Sequence, residues 1–310
     1  MKASDIRSIA CIGAGTIGAS WASFYAYKGF PVTVQDVSAE FLEKCKGLIE
    51  SNLAFFVSVG AEDSLETMKD RIRYTTEIGE AVRDAQLIQE SITEKYEVKQ
   101  AVLGEIDKYN TDAFYCSSTS GLLITEISRY SAFAARCVTA HPFNPPHLIP
   151  LVELVKGEQT SQETLDTVFD FYRSIGKEPV KIYKEMNGHV ASRLQLALWR
   201  EAIDLVVKGV ISVEDVDTAC QYGPGLRWGV MGPNMIIHLG GGEGGVKKMM
   251  TLAPVEKWWG EMASWSKFPE KSWEMLPEGC EAAMHGRSFK EMAQIRDERL
   301  IGLLKVLGKL

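Results

Sequence analysis

The feature that most constrains this chain lies at its start. A short apolar run rich in β-branched residues, Ile6–Ile12, passes directly into Gly13-Ala14-Gly15-Thr16-Ile17-Gly18. From Ala19 to Tyr27 the pattern turns helical, and Gly29 ends it. A second strand pattern, Val32-Thr33-Val34-Gln35, is closed by Asp36. Strand, glycine turn, helix and strand within about 30 residues make a βαβ unit. A lone G-x-G-x-x-G is weak evidence; one that follows a strand, opens a helix and precedes a strand-ending acid is strong.

The chemistry of that unit is specific. Gly13 permits the tight turn, Gly15 lets backbone approach a pyrophosphate, and Gly18 lets helix and strand pack closely. Thr16 and Ile17 open the helix, whose N-terminus faces the anion. Asp36, 23 residues after Gly13, is placed to accept hydrogen bonds from the adenosine ribose hydroxyls. A carboxylate there repels a 2′-phosphate, and Val37-Ser38-Ala39 brings no arginine to hold one. The expected cofactor is NAD rather than NADP. The alternative is a Rossmann-type unit that holds FAD or no dinucleotide.

At 310 residues the chain has the length of two domains and can bury a core without staples. Helical patterning fills about 39–71, with a break near Val59-Gly60. Strand patterns recur at Leu87-Ile88-Gln89, Phe114-Tyr115-Cys116, Cys137–Ala140 and Leu151–Val155, with a helical stretch from about Val98 to Tyr109. Alternation of strands and helices through about residue 183 predicts a parallel, doubly wound sheet. After Met186, Val190, Leu194, Leu198, Ile203 and Leu205-Val206 fall at the spacing of one long buried helix. No strand pattern follows, and the tail from Pro254 to Leu310 is helical in pattern. The fold class is α/β: a Rossmann-type doubly wound sheet over 1–185, then an all-helical domain over 186–310 for substrate and dimerisation.

Charge and composition exclude other classes. Thirty-four basic residues against 41 acidic ones give a net charge of −7, without a basic cluster, which disfavours nucleic acid as a partner. No apolar run approaches the roughly 20 residues that span a bilayer, so no membrane partner is expected. The six cysteines are scattered and form no metal spacing with the five histidines, so no metal is expected. They read as reduced thiols, and no signal-peptide pattern opens the chain; a cytoplasmic location follows.

His141-Pro142-Phe143-Asn144-Pro145-Pro146 sits just past an apolar strand, where α/β folds place ligands. Glu153 falls inside the apolar run Leu151–Val155, where an acid is costly unless partnered. A histidine alone is more often structural; one paired with a buried acid, downstream of a dinucleotide loop, points to acid–base catalysis. Six of the seven tryptophans lie after residue 198. They fit helix packing or a dimer interface, or alternatively an aromatic cage for a quaternary ammonium.

The segments SSTSGLLI (117–124), HPFNPPHLIPLVELV (141–155) and GLRWGVMGP (225–233) resemble the 3-hydroxyacyl-CoA dehydrogenase superfamily, in order and spacing over nearly the whole chain. The resemblance is nearest the branch holding λ-crystallin (L-gulonate 3-dehydrogenase) and L-carnitine dehydrogenase. It implies that His141 is the general acid/base, Glu153 its orienting partner and Ser120 a hydrogen-bond donor to the substrate oxygen. It places Asn144, Glu90 and Lys95 at the cofactor, although Lys95 stands where asparagine is common. Ser192 replaces an asparagine that positions acyl-CoA substrates, and the helical segment after Asp36 is shorter than the one that contacts CoA. Both departures point to a free 3-hydroxy acid, interconverted with its 3-keto acid. Arg227 then becomes a clamp for the substrate carboxylate, the alternatives being an exposed arginine or a structural salt bridge. The resemblance also implies a homodimer through the helical half, whose apolar tail includes Leu300-Ile301-Gly302-Leu303-Leu304. The competing functions are a short-chain 3-hydroxyacyl-CoA dehydrogenase, a β-keto reductase of polyketide biosynthesis, and a non-enzymatic NADH-binding crystallin-like protein.

Overall fold

A computed structural model describes residues 1–252 and 255–309. Its contacts divide the chain into two compact units, Met1–Ser192 and Arg193–Leu310.

The first unit is built on eight strands: β1 (Ile9–Ile12), β2 (Val32–Gln35), β3 (Ile72–Thr75), β4 (Leu87–Glu90), β5 (Phe114–Ser117), β6 (Cys137–Pro142), β7 (Leu151–Val155) and β8 (Glu178–Ile182). They lie in the order β3-β2-β1-β4-β5-β6-β7-β8, the doubly wound arrangement with the reversal at β1/β4. Helices α1 (Thr16–Tyr27), α2 (Ala39–Ser58), α3 (Leu65–Lys69), α4 (Ile78–Val82), α5 (Tyr96–Ile106), α6 (Ile124–Ile127) and α7 (Gln162–Ser174) connect and cover them. The sequence pattern missed β3 and β8, which are short, flanked by charge and at the two edges of the sheet.

Both faces of the sheet are covered, which is why its strands read as continuous apolar runs rather than alternating ones. Ile9 and Cys11 face one layer, with Trp21 and Tyr25 of α1, Leu53 and Phe56 of α2, and Phe171 and Tyr172 of α7. Ala10 and Ile12 face the other, with Val82 of α4, Leu103 and Ile106 of α5, and Ile124 of α6. The expectation of a wholly parallel sheet needs one correction. β6 and β7 pair antiparallel, whereas the other six described pairings are parallel. The loop from Phe143 to Pro150 is too short to carry a crossover helix, so the chain turns straight back.

Helix α8 (Val190–Val207) spans the division between the units. The second unit continues with α9 (Val213–Tyr222), α10 (Pro224–Trp228), α11 (Pro233–Gly240), α12 (Gly245–Leu252), α13 (Val255–Glu261), α14 (Ser272–Ala283) and α15 (Phe289–Val306). No strand occurs among its described residues. Pro254 and Leu310, the ends of the expected helical tail, lie outside the described residues. The expected long buried helix exists, but only in part buried. Ile203 and Val206 are enclosed, while Leu194 and Leu198 stand exposed in the single chain. Among the described residues no helix is long and apolar enough to cross a membrane.

Candidate active site

The glycine loop shows why those three positions carry no side chain. Gly13 adopts φ +99°, and a Cβ there would lie 2.6 Å from the Ser91 carbonyl oxygen. A Cβ on Gly18 would lie 1.8 Å from the Gly13 carbonyl oxygen, so the start of α1 packs directly on the turn. At Gly15 nothing lies within 4 Å; that space is open to a ligand. The loop borders a cleft of about 650 Å³ lined by Gly13, Gly15, Thr16, Asp36, Ile78 and Ile92. Asp36 receives the Ala14 N–H on Oδ2 at 2.8 Å, which fixes the carboxylate at the cleft wall. Open space at Gly15, the free first turn of α1 and an acid at the end of β2 fit a dinucleotide.

The antiparallel turn builds the second half of the site. His141 and Glu153 stand directly opposite each other across β6 and β7. His141 Nδ1–H donates to Glu153 Oε2 at 2.9 Å, which leaves Nε2 as the nitrogen able to exchange a proton. Glu153 Oε1 accepts the N–H groups of Val190 and Ala191 at 2.9 and 2.8 Å, the free donors of the first turn of α8. Burial alone pushes the Glu153 carboxyl up. The hydrogen bond from His141, the Ala191 N–H and the charge of His141 outweigh it and hold the group below its usual range. A buried carboxylate with all these donors favours its ionised form, suited to orient an imidazole and to stabilise its charged form.

Ser120 lies on the loop after β5, adjacent to β6 in the sheet. Its hydroxyl is exposed, and its N–H donates to Glu94 Oε1 at 2.8 Å. The same oxygen accepts from Thr119 Oγ1 and from the Gly121 N–H. Burial raises the Glu94 carboxyl; the Thr119 hydrogen bond, the Lys99 charge and the Ser120 N–H lower it further, to a net value below the ordinary one. Glu94 is therefore the peg on which the Ser120 loop hangs. Asn144 is exposed at the tip of the loop that leaves His141.

The two other expected cofactor contacts differ in exposure: Glu90 is enclosed and Lys95 is open to solvent. Glu90 is wholly buried at the end of β4. Its Oε1 accepts from Lys99 Nζ at 2.6 Å and the Ile92 N–H at 2.8 Å, and its Oε2 from Tyr115 and Ser117. With both oxygens filled, it can shape the Ser91-Ile92 wall but cannot reach a ligand. Lys95 is exposed at the start of α5, outside the cleft lining. The engaged lysine is Lys99, buried between Glu90 and Glu94. Its signal was available: Lys99, Leu103 and Ile106 recur at helical spacing, so the lysine sits on the buried stripe. Glu94 and His189, which contacts both Thr119 and His141, were also missed.

Ser192 is half-buried in the first turn of α8. In the second unit Arg227 is exposed on α10, and its guanidinium forms no ion pair among the described residues. Trp199, Trp265 and Trp273 close on Phe268 at ring distances of 5.7, 6.1 and 5.5 Å. The rings pack edge-on or tilted against Phe268, while Trp199 and Trp273 keep much of their surface exposed. No metal-binding group of His, Cys, Asp or Glu occurs among the described residues.

A dinucleotide cleft and an oriented histidine at the same carboxyl edge of one sheet are the working parts of an NAD-dependent dehydrogenase. Comparison with known proteins makes the class definite. Residues 8–186 match the family described as 3-hydroxyacyl-CoA dehydrogenase, NAD binding domain, and residues 188–276 match its C-terminal domain. The chain belongs to the 3-hydroxyacyl-CoA dehydrogenase family, and NAD is its cofactor. It is 39% identical to an L-carnitine dehydrogenase of Bacillus cereus over 100% of this chain and 95% of that protein. It is 35% identical to an L-carnitine dehydrogenase of Streptomyces coelicolor, over 99% and 96%. Among solved structures it resembles 5-formyl-3-hydroxy-2-methylpyridine 4-carboxylic acid 5-dehydrogenase, an NAD+-dependent dismutase, at 30% identity and a TM-score of 0.82 over 97% of each chain.

Proposed function

We propose that the chain oxidises a free 3-hydroxy acid of the carnitine type to its 3-keto acid, reversibly. The observation that carries this reading is the buried His141–Glu153 pair with Nε2 left free. Similarity to L-carnitine dehydrogenases along the full chain supports the choice of a free acid over a thioester. NAD, when bound, supplies the hydride acceptor. His141 Nε2 takes the hydroxyl proton as the carbonyl forms, and returns it to the developing alkoxide in the reverse direction. Glu153 keeps the proton on Nδ1 and stabilises the imidazolium. The exposed Ser120 hydroxyl holds the substrate oxygen, and Asn144 lies toward the nicotinamide ribose. Gly13, Gly15, Thr16, Ile17 and Gly18 hold the pyrophosphate, and Asp36 the adenosine ribose.

Ser192 and Arg227 are the further candidates for substrate contacts, Arg227 because a planar guanidinium meets both oxygens of a carboxylate at once. The exposed apolar side chains of the second unit support a homodimer, and six free cysteines support the cytoplasm. The deciding experiment is NADH formation from a panel of free 3-hydroxy acids, carnitine included, set against matching CoA thioesters. Preference for free acids is expected, with KM rising when Arg227 becomes Lys and rising further with Ala. Preference for thioesters would overturn the reading.

A further inference from the structure

Residues 189–191 touch Glu153, His141 and the backbone next to Ser120. The N–H groups of Val190 and Ala191 hold Glu153. The ring of His189 lies 5.1 Å from that of His141, tilted by 53°. His189 Nε2 lies 3.0 Å from the Thr119 carbonyl oxygen. A carbonyl only accepts, so Nε2 carries the hydrogen and Nδ1 is a lone pair.

This arrangement is locally unfavourable. His189 is 1% exposed, and its Nδ1 finds no hydrogen-bond partner among the described residues. Its φ of +30° is also one that a non-glycine residue rarely adopts. A phenylalanine would fill the same space without the unpartnered nitrogen. A chain that keeps a buried histidine under both costs draws something from its donor.

We propose that His189 is a positioning residue, linking the Thr119 carbonyl, and with it the loop that carries Ser120, to the neighbourhood of the His141 ring. The proposal rests on the reading of Ser120 and His141 as the groups that meet substrate. Glu94 grips the loop from one side through three hydrogens, and His189 grips it from the other. The charged and titratable groups facing His189 are His141 on β6, Glu153 on β7 and Glu94 on the loop after β4. Burial, the largest influence, and the His141 charge push the His189 imidazole down, against the Thr119 hydrogen bond and the two carboxylates. A neutral ring adds no charge beside His141 when His141 takes up its proton.

The test compares His189→Phe, which keeps a ring and loses the donor, with His189→Gln, which keeps a donor. Amide hydrogen exchange at Ser120 and Gly121 is measured on the whole protein without substrate, alongside Tm and steady-state kinetics. Expected for His189→Phe are faster exchange at both amides, kcat lower by about 10-fold, a higher KM for the hydroxy acid and an unchanged KM for NAD. Its Tm stays level or rises, and His189→Gln recovers most of the rate. Wild-type exchange and rate in His189→Phe would overturn the proposal, as would a parallel fall of Tm and rate in both variants. Faster exchange in His189→Phe, with no turnover of any hydroxy acid or thioester by the wild-type chain, would preserve the tie and overturn the function proposed above.

Discussion

The two units bury themselves to very different degrees. In Met1–Ser192 the sheet is sealed on both faces, and Trp21, Tyr25, Tyr115 and Tyr172 are wholly enclosed. In Arg193–Leu310 the buried apolar side chains among the described residues are Ile203, Val206, Val213, Ala263 and Leu304. Meanwhile Met250, Trp273, Phe289 and Val306 each expose more than 70% of their surface. One unit closes its own core; the other leaves apolar surface of a kind that monomers rarely carry in quantity. The His141–Glu153 pair and the glycine loop thus stand on a scaffold that closes its own core. The second unit leaves apolar surface that the proposed homodimer would cover.

The largest expected effect tests the first side of the contrast. His141→Ala should lower turnover by roughly 10²–10⁴, the range for loss of a general acid/base. NADH binding, read by fluorescence titration, should stay within a few-fold of wild type, because the glycine loop belongs to a different part of the sheet. A near-wild-type rate would remove the histidine from the chemistry.

Next in size is the completion of the second unit. Ile237 is exposed on α11 beside Met235 and Leu239. Ile237→Glu, by placing a charge in an apolar contact, should raise the dimer dissociation constant by about 30- to 100-fold. Light scattering across a micromolar dilution series reads it. A wild-type chain that is monomeric at those concentrations would break the comparison outright.

Glu153→Gln is expected to lower kcat by about 10- to 100-fold, since a neutral amide no longer stabilises the charged ring and its single oxygen cannot accept from both His141 and the Val190 and Ala191 N–H groups. It should also change acid stability. The Glu153 pKa is depressed in the fold, so its contribution is present above the unfolded carboxyl value and lost as pH falls through the folded one. Wild-type Tm should therefore drop more steeply than that of Glu153→Gln as pH is lowered below about 5. Parallel curves would show that the carboxylate is not a stabilising anion.

What the sequence disclosed follows the same division. The glycine loop, Asp36 and the strands flanking them were legible because each rests on local rules: turn geometry, helix start, strand period. The pairing of His141 with Glu153 was legible because a lone acid in an apolar strand demands a partner. Glu90 misled for the opposite reason. Both its oxygens are taken by Lys99, the Ile92 N–H, Tyr115 and Ser117, partners from three elements that no local rule brings together. His189 was invisible because a histidine after a glycine has no pattern; only the fold brings it to Thr119. In the second unit helices were legible, but the exposure of Leu194 and Leu198 was not, because helical periodicity marks an apolar face without saying what covers it.

The smallest expected effect probes the price of sealing the first unit so completely. Lys177 is 2% exposed and donates to the carbonyl oxygens of Pro146 and Ile149, on the loop between His141 and Glu153. Its ammonium lies 4.0 Å from the Phe24 ring centroid and 5.0 Å from that of Trp21. Burial, with a smaller push from Lys28, brings its pKa down to about 7. The unfolded chain keeps that proton up to about 10.4. Between these values the unfolded state holds a proton the folded state has released, so folding stability rises with pH across the window, and the cost of burying the charge is fully present below it. Lys177→Met has no such group. The Tm difference between wild type and Lys177→Met should therefore move in favour of wild type by a few degrees, on the order of 2–4 °C, from pH 7 to pH 9. A Tm difference that stays constant over that range would mean that Lys177 keeps its proton in the fold, with the two carbonyls and two rings compensating its burial in full.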